Sequence, residues 1–407
     1  MRAWITAQIG AREHYAIPRA LHQMAKLQCH YTDIWASPAV RWCAQRSPLR
    51  RVRSLAGRWH QELASAAAVS WPISGLIRSS LQSRYQTEFD FHIAYGRWFS
   101  AAVGRHLARD TFVQPGSVFF SYDTGALEAF KVLKDRGVKC VLGQMDAHRL
   151  YRSLVEEERD LWPEWEPAGE KVPEAYHQRR EEEWSLADMI VVNSEFSARA
   201  LEASGLARSR ISIVPLSFEV SCEKRRFDDA RGRDRDRPLR VLFAARVSLA
   251  KGIQYLVEAA RLLSNEPVEF HVVGQVMINP AVVCRMPNNI HFHGLVTRGE
   301  VQRWYQACDV LAFPTIADGF GLTQLEAMAH GLPVISTPNC ADVVIDGVNG
   351  VRVPMRDGQG LAAAIKRFIG DRDFHASCSE NAVRRAGEFK QVNLQQSLLS
   401  IEASLFN

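Results

Sequence analysis

The chain has 407 residues, an apolar share of 47% and a net charge of +5, which predicts about two soluble domains with a sizeable core. Its eight cysteines are scattered without a C-x-x-C pair, so neither a zinc site nor a disulfide framework is indicated, and a reducing cytoplasm is favoured. The longest uncharged stretch covers residues 63–77 and contains Pro72, which is too short for a membrane-spanning helix. The first residues lack the apolar run of a signal peptide.

Two series of alternating strand and helix patterns predict parallel α/β architecture. Strands of the first series are predicted at residues 3–9, 28–35, 117–121, 139–143, 189–193 and 211–214. Strands of the second series are predicted at residues 239–245, 268–273, 290–293, 309–313, 333–336 and 350–353. Residues 222–238 between them are charged and nearly devoid of apolar residues, which predicts a linker between domains at 1–221 and 239–389.

Two loops of the first domain hold candidate binding residues. Gly10 follows the first strand and precedes a helix, so the backbone there could approach a ligand closely, although a plain strand-to-helix turn fits the pattern too. Asp146 and His148 come just after the strand at 139–143. The sequence leaves open which of these two side chains lies near a reacting centre.

The segment from residue 41 to 109 interleaves arginine with apolar side chains. Residues 41–60 hold six arginines and no acidic residue. Basic and apolar side chains recur there at helical spacing: Trp42, Arg46, Leu49, Arg50 and Arg53. A basic amphipathic helix with tryptophan can lie on an anionic membrane surface, and an ordinary helical insertion with solvated arginines explains the pattern equally well. No nucleic-acid motif accompanies the arginines, so no nucleic-acid partner is predicted.

The second domain opens with a strand that ends near Ala245 and a helix that begins near Gly252. Arg246 and Lys251 lie in the loop between them. Two cations at the carboxyl end of a strand, close to a helix start, suit a diphosphate. Surface cations that merely begin a helix are the alternative explanation.

A second loop lies within "FPTIADGFGLTQLEAMAHGLPVIST", residues 313–337. A buried strand leads in, and Gly319 and Gly321 permit a tight turn before a helix. The N–H groups at such a helix start favour anions. Asp318 before the turn and Glu326 just over one helical turn later add acceptors for hydroxyl groups. The stretch therefore suits a sugar nucleotide.

Both loops resemble motifs of the retaining family-4 (group 1) glycosyltransferases. Residues 246–252 resemble the R-x4-K-G element of that family, and residues 318–326 resemble its E-x7-E signature, with Asp in place of the first Glu. The resemblance implies an α/β GT-B fold, in which two Rossmann-like domains with parallel sheets face each other across a cleft. It also implies that a last helix, near residues 390–407, returns to the first domain.

The resemblance implies roles for the site residues as well. Arg246 and Lys251 would neutralise the leaving diphosphate, Glu326 would bind the ribose hydroxyls, and Asp318 would contact the donor sugar. Backbone contacts to sugar, phosphate or base are implied for Val296, Phe320, Gly321, Leu322 and Thr323. Gly10 fits the glycine loop near the diphosphate or acceptor, and many members of the family have a His near the position of His148 that contacts the donor sugar.

The implied function is transfer of a sugar from a nucleotide-diphosphate sugar to an acceptor hydroxyl with retention of configuration. The acceptor would be a carbohydrate or a lipid-linked molecule in polysaccharide or glycolipid assembly, and the enzyme would lie in the cytoplasm or at the inner membrane face. The pairs Asp234-x-Asp236 and Asp371-x-Asp373 lie among arginines in polar stretches, so neither a metal nor another cofactor is predicted. The alternatives are a non-catalytic nucleotide-binding or scaffold subunit and another GT-B enzyme, such as an epimerase or a phosphorylase.

Overall fold

The computed structural model describes residues 2–109, 113–218 and 237–407. The predicted linker at 222–238 therefore lies, except for its last two residues, outside the described residues, and so does the pair Asp234-x-Asp236. Among the helices of the described ranges, none has the length and apolar character needed to cross a bilayer.

The first domain is built on a parallel sheet of seven strands in the order β3-β2-β1-β4-β5-β6-β7. Its strands are β1 Trp4–Gln8, β2 Leu27–Thr32, β3 Ala68–Ser70, β4 Val118–Tyr122, β5 Lys139–Gln144, β6 Met189–Val192 and β7 Ile211–Ile213. The six strands predicted for this half of the chain are confirmed. The short edge strand β3 was not predicted, because its run of small residues carries no strand pattern.

Helices connect these strands on both faces of the sheet. They are α1 Ala16–Gln23, α2 Pro38–Arg46, α3 Arg50–Arg53, α4 Pro72–Ser80, α5 Glu88–Arg109, α6 Leu127–Lys134, α7 His148–Leu161, α8 Glu174–Leu186 and α9 Glu195–Ala203. The interpretation of residues 42–53 as one amphipathic helix is wrong. Ser47 is extended, with ψ 135°, since Pro48 disfavours a helical residue before it, and α2 and α3 are separate.

The second domain has a parallel sheet of six strands in the order β10-β9-β8-β11-β12-β13. Its strands are β8 Leu239–Ala244, β9 Val268–Val273, β10 Ile290–Gly294, β11 Val310–Phe313, β12 Val334–Ser336 and β13 Gly350–Arg352. Its helices are α10 Ile253–Leu262, α11 Pro280–Val283, α12 Arg298–Ala307, α13 Leu322–Ala329, α14 Gly358–Gly370 and α15 Arg372–Ala386. All six strands predicted for this half are confirmed.

The last helix, α16 Gln391–Phe406, packs on the first domain. Leu394, Leu398 and Ile401 share a core cluster with Trp4 of β1, and the Trp4 indole donates a hydrogen bond of 2.6 Å to Glu402. The chain thus returns to the domain in which it began.

The strand orders confirm the predicted α/β architecture of two Rossmann-like domains. In each sheet the order reverses between two neighbouring strands, β1 and β4 in the first domain and β8 and β11 in the second. Loops that leave the carboxyl ends of such strands diverge to opposite faces and open a crevice, which is where ligands bind in this class of sheet.

Candidate active site

The crevice of the second domain is formed by the loops after β8 and β11. The strands pair directly, with Leu242 opposite Leu311. Gly252 brings the two loops together: its φ is +76°, and a Cβ atom added to it would lie 1.8 Å from the carbonyl oxygen of Pro314. A residue with a side chain would force these loops apart.

Lys251 and Asp318 meet across this crevice. The Lys251 ammonium donates a hydrogen bond to one Asp318 carboxylate oxygen, and the other oxygen accepts the Phe320 N–H at 3.2 Å. Each side chain keeps about a fifth of its surface exposed, 23% and 20%. The structure therefore joins the two predicted motifs in one ion pair that a ligand in the crevice can reach.

The helix α13 begins at this ion pair with an open N-terminus. Gly321 adopts the left-handed conformation at the N-cap position, with φ 81° and no side-chain cap. The N–H groups of Leu322 and Thr323 in the first turn have no partner within the helix, as is general for helix starts. Together with the positive end of the helix dipole they form a site for an anion.

Glu326 lies one turn further along α13, where Tyr305 holds it. The Tyr305 hydroxyl donates a hydrogen bond of 2.9 Å to Glu326, and the Tyr305 side chain is buried. Sequence reasoning missed Tyr305, because a tyrosine on a helix usually indicates core packing. Its contact fixes the direction in which the Glu326 carboxylate points.

Around Glu326 the second domain forms a pocket next to the crevice. The pocket is lined by residues from the ends of β8, β9 and β10 and from α12 and α13, among them Ala245, Arg246, Gly274, Val296, Tyr305, Thr323 and Glu326. Gly274 is required for this shape, since a Cβ atom there would lie 1.8 Å from the Ala245 carbonyl oxygen. The structure thus brings Arg246, Val296, Thr323 and Glu326 of the predicted set together.

Arg246 also faces a larger cleft between the two domains. This cleft is lined by Lys251 and Arg246 on one side and by Tyr151, Arg152 and Phe89 of the first domain on the other. Within the described ranges the exposed Arg246 guanidinium forms no ion pair. It is available for an anionic group bound in either space.

The first domain contacts the Gly-Phe-Gly turn through the loop after β5. A Cβ atom on Gly319 would lie 2.3 Å from the Met145 carbonyl oxygen and 3.3 Å from the Asn193 side chain. Asp146, the next residue, keeps 41% of its side chain exposed and forms an ion pair of 2.5 Å with Arg180. The structure places Asp146 at the surface of the cleft, close to the motif that contains Asp318.

His148 lies deeper than Asp146. It is 1% exposed, its Nε2 atom is 3.3 Å from the His177 Nδ1 atom, and its ring packs against Trp184. Burial, with Arg180 and His177 nearby, lowers the pKa of His148 to about 3. The ring is thus neutral and enclosed in the first domain, and its predicted role at the donor sugar stays a prediction.

Gly10 occupies the loop after β1, in the crevice of the first domain. Its φ is +77° and its N–H donates a hydrogen bond of 2.9 Å to the buried Asp33 carboxylate. Asp33 also accepts hydrogen bonds from Arg58 at 3.2 Å and from the Tyr95 hydroxyl at 3.0 Å. These contacts hold the loop in place at the carboxyl end of β1.

An arm from the first domain supports the Lys251 loop. It consists of α7 and the turn that follows, residues 148–170. Glu158 on this arm is fully buried and accepts hydrogen bonds from three second-domain residues: Gln254 at 2.6 Å, Tyr255 at 2.9 Å and Arg356 at 2.5 Å.

The arm continues into the core of the second domain. Trp165 packs in the same cluster as Leu239 and Leu249, and Glu166 accepts the Leu249 N–H at 2.6 Å. Leu249 begins the short helix Leu249–Lys251. Sequence reasoning missed the arm, because Glu158 is one of three consecutive glutamates and nothing local distinguishes it from its neighbours.

The second Asp-x-Asp pair of the sequence, Asp371-x-Asp373, has a structural role at a helix start. Asp371 is the N-cap of α15 and accepts the Phe374 N–H at 2.9 Å. In the part of the chain that the structure describes, no group of three or more His, Cys, Asp or Glu side chains has an arrangement that could hold a metal ion.

Comparison with known proteins gives a consistent result. Residues 238–371 match the family described as Glycosyl transferases group 1. A D-inositol 3-phosphate glycosyltransferase of Xylanimonas cellulosilytica is 32% identical over 179 residues, which are 41% of this chain and 42% of the relative. The amylovoran biosynthesis glycosyltransferase AmsK of Erwinia amylovora is 24% identical over 196 residues, 44% of this chain and 47% of the relative. The chain thus matches less than half the length of these curated relatives.

The likeness to a solved structure extends over the whole chain. HepE (Alr3699) of Anabaena, determined in complex with UDP, superposes with a TM-score of 0.61 and 16% sequence identity, covering 99% of this chain and 100% of that one. At this identity the comparison shows the fold alone. It confirms the GT-B architecture that the motifs implied.

Proposed function

Because this chain carries a group 1 glycosyltransferase domain within a GT-B fold, we propose that it transfers a sugar from a nucleotide-diphosphate sugar to an acceptor hydroxyl. The observation that carries the proposal is the convergence of Lys251, Arg246 and the open start of α13 on the crevice and the pocket beside it, which also contain Asp318 and Glu326. Cations and N–H groups suit a diphosphate. The two carboxylates suit the hydroxyls of a sugar and of a ribose.

The chemistry follows from the leaving group. Breaking the bond between the sugar and the diphosphate places negative charge on the distal phosphate, and fixed cations stabilise that charge most in the transition state. Lys251 has three N–H donors, so it can bind the phosphate while it keeps Asp318 in position. Asp318, held by Lys251 and by the Phe320 N–H, would then direct its carboxylate to a hydroxyl of the donor sugar.

The proposed stereochemistry is retention of the anomeric configuration. The motif resemblance supports it. Both Asp318 oxygens already accept hydrogen bonds, which leaves that carboxylate poorly placed as a covalent nucleophile and favours a same-face mechanism over a double displacement. In this proposal the acceptor attacks on the face from which the diphosphate departs, and the departing phosphate takes the acceptor proton. Asp146 at the facing surface is the first-domain residue we place nearest to this step.

The proposed donor nucleotide is UDP, and the proposed context is the assembly of a polysaccharide or glycolipid in the cytoplasm. The UDP bound to HepE supports the first, and the relative named for amylovoran biosynthesis supports the second. The acceptor class we propose is a carbohydrate or a lipid-linked sugar. Lys251 and Arg246 take the charge-neutralising role that a metal ion has in other transferases, so we propose transfer without a metal or another cofactor.

The test is to incubate the protein with UDP-, GDP- and ADP-sugars and a panel of acceptors, with and without EDTA. We expect one nucleotide series to release its diphosphate and to yield a product whose anomeric coupling in NMR equals that of the donor. Binding without transfer or donor hydrolysis would instead identify a non-catalytic subunit. A sugar nucleotide that is isomerised and not transferred would identify an epimerase.

A further inference from the structure

The insertion between β2 and α5 carries an unbalanced positive charge. Residues 38–85 contain eight arginines and a single acidic residue, Glu62, so this segment is more positive than the whole chain with its net charge of +5. Glu62 does not offset these arginines, because it pairs at 2.7 Å with Arg19 outside the segment. A chain with nearly balanced charge thus concentrates its positive charge here.

Of these arginines Arg58 pairs with Asp33, whereas four others are directed to solvent and not to carboxylates. Arg46, Arg53, Arg78 and Arg84 are exposed, and none of them forms an ion pair within the described ranges. The Arg46 guanidinium lies 4.2 Å from the centre of the Trp42 ring, and Arg53 donates a hydrogen bond to the Pro48 carbonyl oxygen at 3.2 Å. They remain free to meet an external anionic surface.

The same segment exposes apolar side chains. Seven of the sixteen exposed large hydrophobic residues of the described chain fall in residues 38–85: Val40, Trp42, Leu49, Ile73, Leu76, Ile77 and Tyr85. In the helix α4, Ile73 is 74%, Leu76 42% and Ile77 57% exposed. Their spacing places them on one face of the helix, and an apolar face turned to solvent indicates an interaction surface.

The opposite face of α4 is fixed to the first domain next to its ligand crevice. Gly75 is buried, and a Cβ atom there would lie 3.1 Å from the Asp33 carbonyl oxygen and 3.3 Å from the Tyr95 hydroxyl. The Asp33 side chain holds the Gly10 loop through its hydrogen bond to the Gly10 N–H. The apolar face of α4 thus belongs to an element anchored beside the Gly10 loop, and the exposed arginines lie on α4 itself and elsewhere in the same insertion.

We propose that this surface, α4 together with the exposed arginines of residues 38–85, docks on an anionic lipid bilayer. Isoleucine and leucine side chains at one helix face enter the boundary between headgroups and acyl chains, while arginines meet anionic headgroups. An acidic protein would match the arginines but not three adjacent aliphatic side chains on a free helix. This consequence rests on the proposed function: a lipid-linked acceptor can enter the cleft while its lipid stays in the membrane.

The test is flotation of the full chain with phosphatidylcholine vesicles that contain about 30% phosphatidylglycerol. Vesicles of pure phosphatidylcholine serve as the comparison. We expect binding to the anionic vesicles that falls at least about tenfold at 0.5 M NaCl, because salt screens exposed charges. The double variant Ile73→Gln/Ile77→Gln should lose at least about tenfold in binding.

A matched control is Val392→Gln/Leu399→Gln, which changes two exposed aliphatic residues, 50% and 42% exposed, on α16 of the same domain. It should bind vesicles as the wild type does. Both double variants should keep the wild-type affinity for the donor nucleotide, which shows that they are folded and separates this test from the test of sugar transfer. The proposal is overturned if the wild type does not float with anionic vesicles at low salt, or if the Ile73/Ile77 variant floats as well as the wild type. It is also overturned if the protein binds RNA or an acidic protein in place of vesicles.

Discussion

Lys251 donates a hydrogen bond to Asp318 across the crevice of the second domain, although 67 residues separate them in the chain. They meet because β8 and β11 are neighbours in the sheet and because Gly252 lets the loops that follow approach closely. In the absence of a donor, the carboxylate holds the ammonium group in place. A bound diphosphate would then share the lysine with Asp318.

This relationship predicts separate effects on binding and transfer when Asp318 is changed to Asn. The variant should bind a nucleoside diphosphate as tightly as the wild type or more tightly, since Lys251 no longer has a competing anion. The rate of sugar transfer should fall about 100-fold, the scale of losing one oriented polar contact in a transition state. Isothermal titration and initial rates measure the two effects.

The matched control for that variant is Asp342→Asn. Asp342 pairs with Arg352 at 2.9 Å and is 53% exposed, so its loss should change neither quantity. Wild-type transfer by Asp318→Asn would show that Asp318 does not act on the donor sugar.

The contact between Tyr305 and Glu326 predicts how the ribose is recognised. Tyr305→Phe removes a hydrogen bond of 2.9 Å, and the looser carboxylate should weaken donor binding by about 1 kcal/mol, or roughly fivefold. Glu326→Ala should go further and abolish the preference for a ribonucleoside diphosphate over its 2′-deoxy analogue. The ratio of the two dissociation constants serves as the internal control, and a preserved preference in Glu326→Ala would place the ribose elsewhere.

The buried Glu158 predicts that the arm stabilises both the fold and the donor site. Glu158→Ala leaves Arg356, Gln254 and Tyr255 without their common acceptor, which should lower the free energy of unfolding by about 3–5 kcal/mol. Urea denaturation measures this loss, and titration with the nucleoside diphosphate should show weaker binding because the Lys251 loop loses its support.

The neighbouring Glu157 is the control for the arm. It pairs with the same Arg356 at 2.8 Å but is 50% exposed, so Glu157→Ala should change stability little. Equal effects of the two alanine variants would mean that the domains are not joined through Glu158.

The buried His30 predicts a stability difference that depends on pH. Its Nδ1 atom is 2.8 Å from the Thr6 hydroxyl, and burial lowers its pKa from 6.5 to about 3. As the pH falls below 6.5, the unfolded chain takes up a proton that the folded chain refuses, so this histidine makes the folded state less stable in acid. Between pH 7 and pH 5 the loss should reach about 2 kcal/mol.

Thermal or urea unfolding of the wild type and His30→Gln at several pH values isolates this effect. The wild type should lose stability relative to the variant as the pH falls, since the other histidines are common to both. A constant difference across this range would mean that His30 is protonated as easily in the folded chain as in the unfolded one.

Most of the fold could be predicted because buried parallel strands have a clear local pattern. Strands such as β6 and β11 are short apolar runs that polar residues or proline bound on both sides, so their existence and limits follow from neighbouring residues. The edge strand β3 has no such run, because Ala68 and Val69 are only partly buried and pair with a single neighbour, β2. Nothing in the three residues distinguishes them from the surrounding loop.

The site was predictable where its residues lie close together in the chain. Arg246 and Lys251 are five positions apart, and Asp318 to Glu326 spans a single turn and helix start. Tyr305 and Glu158 act through contacts with distant partners, 21 residues away for Tyr305 and 97 for Glu158 with Tyr255. Such pairs have no local pattern, and only the packing of α12 on α13 and of the arm on the second domain brings them together.

The order of Asp146 and His148 shows the same limit on a smaller scale. Both follow β5, and the sequence contains nothing that decides which side chain turns outward. The decision depends on Arg180, which pairs with Asp146, and on His177 and Trp184, which enclose the imidazole. All three lie on α8, about thirty residues later in the chain.

The most direct test of the donor site is the thermal shift of the wild type, Lys251→Ala and the control Lys366→Ala with UDP, GDP and ADP. Lys366 is an exposed lysine of the same domain, with 65% of its side chain exposed. A ligand at a hundred times its dissociation constant adds about 2.7 kcal/mol to stability, which raises the melting temperature by several degrees. We predict that one of the three diphosphates, with UDP as the first candidate, raises the melting temperature of the wild type and of Lys366→Ala. It should leave the melting temperature of Lys251→Ala unchanged. No shift of the wild type with any diphosphate, or an equal shift of Lys251→Ala, would contradict the assignment of this crevice to the donor.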